Sequence, residues 1–323
     1  MTRIVKSDCI SRADAARKAP AEWLTRPERG SMTLLRVMAG ASRRFGRARS
    51  RVLLYLIATY FVLFAPTARR HARNYLRRAL GREPRFADRF RQVLNFASTI
   101  HDRVYLLDGS FEQFEISVEG EELMLAVVAG GQGAFLMGAH MGSFEVTRAL
   151  GLHRPRVDVV MAMYADNARK INSILTALQP AIKPEIISLG HIEAMLKVRA
   201  RLDEGAFVGI MGDRTLGNEP LQAVNFLGSR AYFPVGPMRA AALLRRPMIF
   251  MLGLYRGGNR YHLIFERIAD FSAVGRAQRA HAVEQAIARY AALLEKYCRS
   301  DPYNWFNYFD FWGDARARPA QPS

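Results

Sequence analysis

A histidine and a glutamate stand where an apolar run gives way to a helical pattern, in the stretch GAHMGSFE at residues 138–145. The unperturbed pKa of a histidine lies near neutrality, so the imidazole of His140 can take a proton from a substrate hydroxyl. Glu145 follows near the first turn of the predicted helix, where its carboxylate could fix the ring tautomer and steady the imidazolium. The pattern predicts a general base with a carboxylate partner. The alternative is a structural histidine whose nitrogens are satisfied within the fold.

The surroundings of His140 distinguish it from a second pair with the same spacing. His153 and Asp158 also match, in HRPRVD, but that stretch contains Arg-Pro and is typical of a loop. Gly142 would allow a tight turn directly after His140 and a close approach of substrate. We therefore place the candidate base at His140.

Several other reaction classes find no support in the residues. Ser143 stands at the same turn, but HMGSFEV lacks the Gly-x-Ser-x-Gly pattern of a serine hydrolase. Dinucleotide-binding and P-loop glycine patterns are missing from the sequence. Cys9 and Cys298 lie far apart, which suits a reducing compartment and gives no metal-ligand spacing. We therefore expect no cofactor and no metal.

Most of the chain alternates between short apolar runs and longer periodic stretches, which is typical of α/β architecture. Parallel strands need helical crossovers of this length, so we expect a mixed, largely parallel sheet flanked by helices. The candidate strands are 134–139, 156–163, 185–189, 206–211, 248–255 and 261–267, and the candidate helices are 143–151, 167–178, 191–203, 235–245 and 276–298. Ligand-binding residues gather where such strands end. A second polar junction of this kind, IMGDRTLGNEP at 210–220, carries Asp213 and Arg214.

The N-terminal part has a different composition, and we divide the chain into a basic segment, 1–80, and an α/β domain, 81–323. Within the first part, the apolar run VLLYLIATYFVLFAP (52–66) has arginine-rich sequence on both sides. It is shorter than the roughly 20 residues of a spanning helix, so one reading is a buried core helix. Its aromatic content and arginine flanks favour a helix that lies in, or partly inserts into, a membrane surface.

The net charge of +18 implies partners that carry negative charge. An anionic membrane surface and an acidic protein both satisfy this requirement. Nucleic acid is the rival partner, but zinc-finger, aromatic RNA-binding and long basic recognition-helix patterns are missing, and the apolar helix would have no purpose there. We therefore expect no nucleic acid. The aromatic C-terminal stretch is expected to pack mainly as core, and the alternative is that it lines a groove for the acyl chain.

Four stretches together resemble the bacterial late lipid A acyltransferases and their relatives. They are GAHMGSFE, GDRTLGNEP (212–220), AYFPVGPMRAAALLRRP (231–247) and DPYNWFNYFDFW (301–312), and the likeness runs from about residue 35 to 312. The stretches TIHDRVYLL (99–107) and NWFNYFDFW (304–312) are similar to the branch that acts on aryl polyenes. The resemblance implies transfer of an acyl chain from an acyl carrier protein thioester to a hydroxyl of a lipid or glycolipid, at the cytoplasmic face of the bacterial inner membrane.

The same resemblance assigns roles to individual residues. His140 would be the general base, and Glu145 would orient it and stabilise its charge, with neither a covalent intermediate nor a metal. Asp213 and Arg214 would belong to the substrate-binding set, and Arg214 would bind an acceptor phosphate or the developing oxyanion. The alternative for Arg214 is a surface ion pair. The family's substrate-contacting loop corresponds to MYADNARKIN (163–172), and the substrate-binding candidates there are Tyr164, Asn167 and Arg169. A catalytically silent lipid-binding relative remains the other interpretation.

Overall fold

The computed structural model describes residues 32–147, 158–164, 185–214 and 219–313. Four helices come first: α1 (Met32–Ser50), α2 (Val52–Phe64), α3 (Pro66–Leu80) and α4 (Phe86–Leu107). Pro66 opens α3, where its fixed φ fits the first helical turn and its missing N–H costs nothing. Gly81 ends the same helix in the left-handed conformation, with φ 66°. Local sequence therefore determines both ends of α3.

The remaining elements alternate strands and helices. The strands are β1 (Glu115–Glu119), β2 (Phe135–Gly138), β3 (Val159–Tyr164), β4 (Ile186–Leu189), β5 (Phe207–Met211), β6 (Leu221–Phe226), β7 (Ser229–Pro234), β8 (Pro247–Tyr255) and β9 (Arg260–Asp270). The helices are α5 (Glu121–Ala129), α6 (Ile192–Asp203), α7 (Gly236–Leu244) and α8 (Arg279–Ser300). A 3-10 helix, Phe144–Thr147, follows β2. The described part of predicted helix 143–151 thus begins as a 3-10 turn, and predicted helix 167–178 lies outside the described residues.

Seven of the described strands form one sheet in the order β1-β9-β8-β2-β5-β3-β4. Neighbouring strands run parallel, apart from the antiparallel pair β8 and β9. The predicted mixed, largely parallel α/β fold is confirmed. All four residues of β2 are buried, because helices cover both faces of the sheet at its centre. Phe135 and Met137 pack in one core with residues of α3, α6, α7 and α8, whereas Leu136 packs on the other face with residues of α4 and α5.

Two features of the sheet structure were missed by the sequence analysis, each for a local reason. Strand β1 is an edge strand of sequence EISVE whose side chains alternate between exposed and half-buried, so no apolar run marks it. The hairpin β6–β7 turns through Leu227 and Gly228, both with positive φ. Such a two-residue turn normally carries Asn-Gly or Asp-Gly. Leu227 adopts it with its side chain buried, while its N–H donates to Glu295 Oε2 at 2.6 Å.

The N-terminal helices are attached to the α/β layers through α4. Asp102, fully buried in α4, accepts two hydrogen bonds from the guanidinium of Arg47 at 2.8 and 2.9 Å. The hydroxyl of Tyr261 in β9 donates to the same carboxylate at 2.9 Å. Since the charged Asp102 is paired and hydrogen-bonded, its burial is compensated. This contact joins α1 to the core of the sheet.

Helix α2 buries only one stripe of its surface. Leu54, Ala58 and Val62, spaced four residues apart, are its buried residues. A larger set of apolar side chains on the helix is exposed: Val52, Leu53, Tyr55, Leu56, Tyr60, Leu63 and Phe64. A buried core helix therefore accounts for one face of α2 and leaves the other unexplained. Among the described helices none is long and apolar enough by itself to cross a membrane, whereas α2 and α3 meet those criteria as a pair bent by 94°.

Candidate active site

The ends of two adjacent strands bring His140 and Asp213 together. Strands β2 and β5 pair in parallel with Gly138 opposite Met211. His140 and Asp213 each stand two residues beyond that pair, so both leave the same edge of the sheet side by side. The distance between His140 Nδ1 and Asp213 Oδ1 is 2.7 Å. This is the edge at which open α/β sheets bind ligands, as the sequence analysis expected of both junctions.

Asp213 is buried, and four donors surround its carboxylate. Besides the His140 ring, which meets Oδ1, the other oxygen Oδ2 accepts the His140 backbone N–H at 2.9 Å, Trp305 Nε1–H at 2.9 Å and Asn307 Nδ2–H at 2.8 Å. Burial alone would raise the pKa of this carboxyl, but the His140 ring and its hydrogen bonds, with the charge of Arg214, hold the pKa well below its usual range. Asp213 is thus ionised at neutral pH and oriented. Among the described residues, no group of three or more His, Cys, Asp and Glu side chains is arranged to hold a metal ion.

The contact with Asp213 determines which nitrogen of His140 is basic. Because a carboxylate accepts only, Nδ1 carries the proton and Nε2 keeps the lone pair. The side chain retains 31% of its surface exposed, which leaves the ring accessible to a substrate. Burial, followed by the positive charge of Arg214, lowers the pKa of His140, and this outweighs the opposite effect of Asp213. His140 is therefore in the base form at neutral pH.

The C-terminal segment, residues 301–312, holds the backbone around His140. The N–H of Phe306 donates to the carbonyl of His140 at 2.8 Å, and the N–H of Gly142 donates to the carbonyl of Asn304 at 2.9 Å. Gly142 has φ 71°, and a Cβ added there would lie 1.9 Å from the carbonyl oxygen of Gly253. The turn after His140 therefore requires glycine, as the sequence analysis expected.

Glu145 has partners other than the one predicted for it. One carboxylate oxygen lies 2.7 Å from Arg103 Nε, and the other accepts the Ser143 hydroxyl at 2.9 Å. Within the described part of the chain, no hydrogen bond joins Glu145 to His140. The carboxylate at Nδ1 comes from Asp213, 73 residues further along the chain. Arg103 on α4 lies near enough that its charge also lowers the pKa of His140.

Arg214 connects to the same network through a half-buried side chain. Its Nε–H donates to Asn307 Oδ1 at 2.9 Å, and its guanidinium lies 5.7 Å from the centre of the Phe309 ring. Asn307 thus accepts from Arg214 while it donates to Asp213. The Nε–H of Arg214 is thus engaged by an amide of the C-terminal segment, and the surface ion pair stays the alternative interpretation of this side chain.

The remaining predicted site residues are Tyr164, Asn167 and Arg169. Tyr164 is the last residue of β3, which runs parallel to β5 beside it. Tyr164 therefore lies at the same edge of the sheet as Asp213. Asn167 and Arg169 fall outside the described residues. Their assignment to substrate binding stays a prediction.

Three residues of the site escaped the sequence analysis as individuals. Arg103 belongs to TIHDRVYLL, which stood out only as a resemblance, and Trp305 and Asn307 belong to NWFNYFDFW, which was otherwise expected to pack mainly as core. The aromatic C-terminus packs largely as core: Trp305, Phe306 and Trp312 are buried. A tryptophan and an asparagine that donate to a distant aspartate leave no periodic signal, because the contacts depend on tertiary structure alone.

Comparison with known families gives one result. The sequence model of the bacterial lipid A biosynthesis acyltransferases matches residues 27–312, which include every element described above from α1 to the C-terminal segment. A comparison with curated proteins gives no match. The family match confirms the resemblance seen in the sequence, while the aryl-polyene branch stays a prediction. The chain belongs to the family of bacterial lipid A biosynthesis acyltransferases and is therefore an acyltransferase.

Proposed function

We propose that this lipid acyltransferase moves an acyl chain from an acyl carrier protein thioester to a hydroxyl of a lipid or glycolipid acceptor, with His140 as the general base. The observation that carries the proposal is the 2.7 Å contact between His140 Nδ1 and Asp213 Oδ1 at the ends of two adjacent strands. A buried carboxylate, a partly exposed imidazole and a free Nε2 lone pair are the parts that base catalysis on a hydroxyl needs.

In the proposed reaction, Nε2 of His140 takes the hydroxyl proton as the acceptor oxygen attacks the thioester carbonyl. Asp213 stabilises the imidazolium through Nδ1, as a carboxylate does in other base-assisted acyl transfers. The new C–O bond forms, the C–S bond of the tetrahedral intermediate breaks, and His140 returns the proton to the departing thiolate. No enzyme-bound acyl group is required.

Arg214 is proposed to stabilise negative charge in this reaction. Its Nε–H donates to Asn307, which donates to Asp213, and its charge lowers the pKa of His140. These contacts support binding of either the oxyanion of the intermediate or an acceptor phosphate. We expected Glu145 to orient His140. Its contacts with Ser143 and Arg103 suit it better to hold the turn between His140 and Glu145. Tyr164, Asn167 and Arg169 complete the proposed substrate-binding set.

Association with the cytoplasmic face of the bacterial inner membrane is proposed from the exposed side of α2. Seven exposed apolar side chains on one short helix form a patch of the kind that contacts lipid or another protein. The arginines that precede and follow α2 in the sequence would be attracted to anionic headgroups, at about 1 kcal/mol each. The charge of +18 also favours an acidic carrier protein, through long-range attraction.

The experiment that tests the reaction uses purified protein, acyl carrier protein loaded with a labelled fatty acid, and total lipid extract from the source bacterium. Mass spectrometry should find a newly acylated lipid that His140→Ala cannot make, and the product would also identify the acceptor as lipid A-like or aryl-polyene-like. Release of free fatty acid would support acyl carrier protein thioester as the donor and would leave the acceptor unidentified. A protein that binds the lipid extract yet never turns over the thioester would favour the catalytically silent alternative.

A further inference from the structure

A row of arginines lies on the outer face of α3, which the proposed reaction does not use. The helix has five arginines and no acidic residue. Arg70, Arg73 and Arg77 are spaced three and four residues apart, so they share one face of the helix. All three are exposed, whereas Tyr75 and Leu76 on the opposite face are buried.

These three arginines line a cleft of about 320 Å³. Asn74 and His71 add polar groups from the same helix, Glu83 comes from the turn after it, and Asp310 comes from the C-terminal segment. Three guanidiniums face two carboxylates among these residues, so the cleft has a positive excess. Asp310 also belongs to the segment whose Asn307 donates to Asp213, so one segment supplies residues to both the cleft and the candidate active site.

Glu83 is the ion-pair partner of two arginines in the cleft, and a stronger anion could replace it. It lies 2.9 Å from Arg73 Nη2 and 3.9 Å from Arg77 Nη1. All three side chains keep more than half of their surface exposed, and ion pairs this exposed contribute little. A phosphate group offers more acceptor oxygens and more negative charge, and arginine binds it in a bidentate manner. A phosphate can therefore displace the Glu83 carboxylate from two guanidiniums at small cost.

We propose that the cleft lined by Arg70, Arg73 and Arg77 is a binding site for a phosphate group, which replaces Glu83. The phosphate can come from a lipid headgroup or from a soluble phosphate. The lipid source deepens the proposed membrane association, because α3 starts at Pro66, directly after the bend of 94° that ends the exposed apolar helix α2. A headgroup phosphate would then sit at the depth where α2 leaves the lipid.

The first test measures sedimentation of the full-length protein with phosphatidylcholine vesicles, with and without phosphatidic acid. Arg73→Gln with Arg77→Gln should weaken binding to the phosphatidic acid vesicles about thirtyfold, at about 1 kcal/mol for each arginine, and leave binding to phosphatidylcholine alone unchanged. The matched control is Arg199→Gln with Arg289→Gln, which removes the same charge from two other exposed, ion-paired arginines. An equal loss in the control would mean diffuse attraction and would overturn a discrete site.

The second test uses inorganic phosphate alone and needs no membrane. Phosphate should raise the Tm of the wild type above that in sodium chloride of equal ionic strength, and should not raise the Tm of the double arginine variant. Glu83→Gln should tighten phosphate binding several-fold, whereas Glu204→Gln, at another exposed pair with arginine, should not.

The two tests separate the sources of the phosphate. An effect with vesicles alone identifies the headgroup, and an effect with inorganic phosphate alone identifies a soluble ligand. If neither the vesicles nor inorganic phosphate has an effect, the site is overturned. The site is also overturned if acyl carrier protein, and not phosphate, occupies these arginines. If the wild type binds no vesicles while inorganic phosphate still stabilises it, the membrane proposal fails and the phosphate site stands.

Discussion

Asp213 Oδ1 lies 2.7 Å from His140 Nδ1, although 73 residues separate them in sequence. The register of β2 and β5 produces this contact, because it aligns the strand ends and lets both side chains leave the same edge. The carboxylate that contacts Nδ1 of His140 is thus supplied by the neighbouring strand, while the glutamate five residues after the histidine is engaged by Arg103 and Ser143.

Replacing the orienting carboxylate should slow the chemical step. Asp213→Asn keeps the side-chain shape but removes the charge that stabilises the imidazolium, so kcat should fall by about 10² to 10⁴ with a smaller change in KM. Steady-state kinetics with acyl carrier protein thioester give both constants, and circular dichroism checks the fold. Asp270→Asn, an exposed carboxyl elsewhere, is the control. A kcat within threefold of the wild type would remove Asp213 from the mechanism.

The charge of Arg214 should appear in the pH dependence. Burial and then Arg214 lower the pKa of His140, so the wild type keeps its base form at a lower pH than an ordinary histidine would. Arg214→Gln removes one lowering effect, and the acidic limb of the kcat/KM profile should therefore move to higher pH. Its plateau should also fall, because the proposed oxyanion contact is lost. A limb that stays in place, or moves to lower pH, contradicts this electrostatic role.

The pair formed by Arg103 and Glu145 should act as a unit. Because the two side chains lie 2.7 Å apart, the effects of Arg103→Gln and Glu145→Gln on kcat/KM should be non-additive, with a coupling of about 1 kcal/mol in a double-mutant cycle. Arg103→Gln should also move the acidic limb to higher pH, since Arg103 lowers the pKa of His140, and Arg103→Lys should restore its position. Additive effects with an unchanged pH profile would limit the pair to a structural role.

Gly142 provides a test of the turn after His140. Gly142→Ala would place a Cβ 1.9 Å from the carbonyl oxygen of Gly253, in addition to the strain of about 1 kcal/mol that a positive φ imposes. Gly228 has a similar φ of 74° with open space around it, so Gly228→Ala should show the strain alone. In urea denaturation, the free energy of unfolding of Gly142→Ala should fall further than that of Gly228→Ala, by at least about 1 kcal/mol. Equal losses would show that the turn tolerates a side chain.

The sequence predicted the parts of this protein that depend on local pattern. Apolar runs located most strands of the sheet, and the junctions after β2 and β5 located His140 and Asp213. The pairing of those two residues depends on strand order and register, which the runs do not encode. Glu145 was assigned to His140 because it is near in sequence, yet its actual partner, Arg103, lies on a helix that precedes the sheet. Trp305 and Asn307 reach the site from the opposite end of the chain.

The most direct test of the central claim is a single-turnover measurement of acyl transfer with His140→Gln. Enzyme in excess over acyl carrier protein thioester, with saturating acceptor, isolates the chemical step from product release. The proposed base should make the rate constant fall at least about 10²-fold, while His281→Gln, at an exposed histidine, should match the wild type. A His140→Gln rate constant within threefold of the wild type would contradict base catalysis by His140.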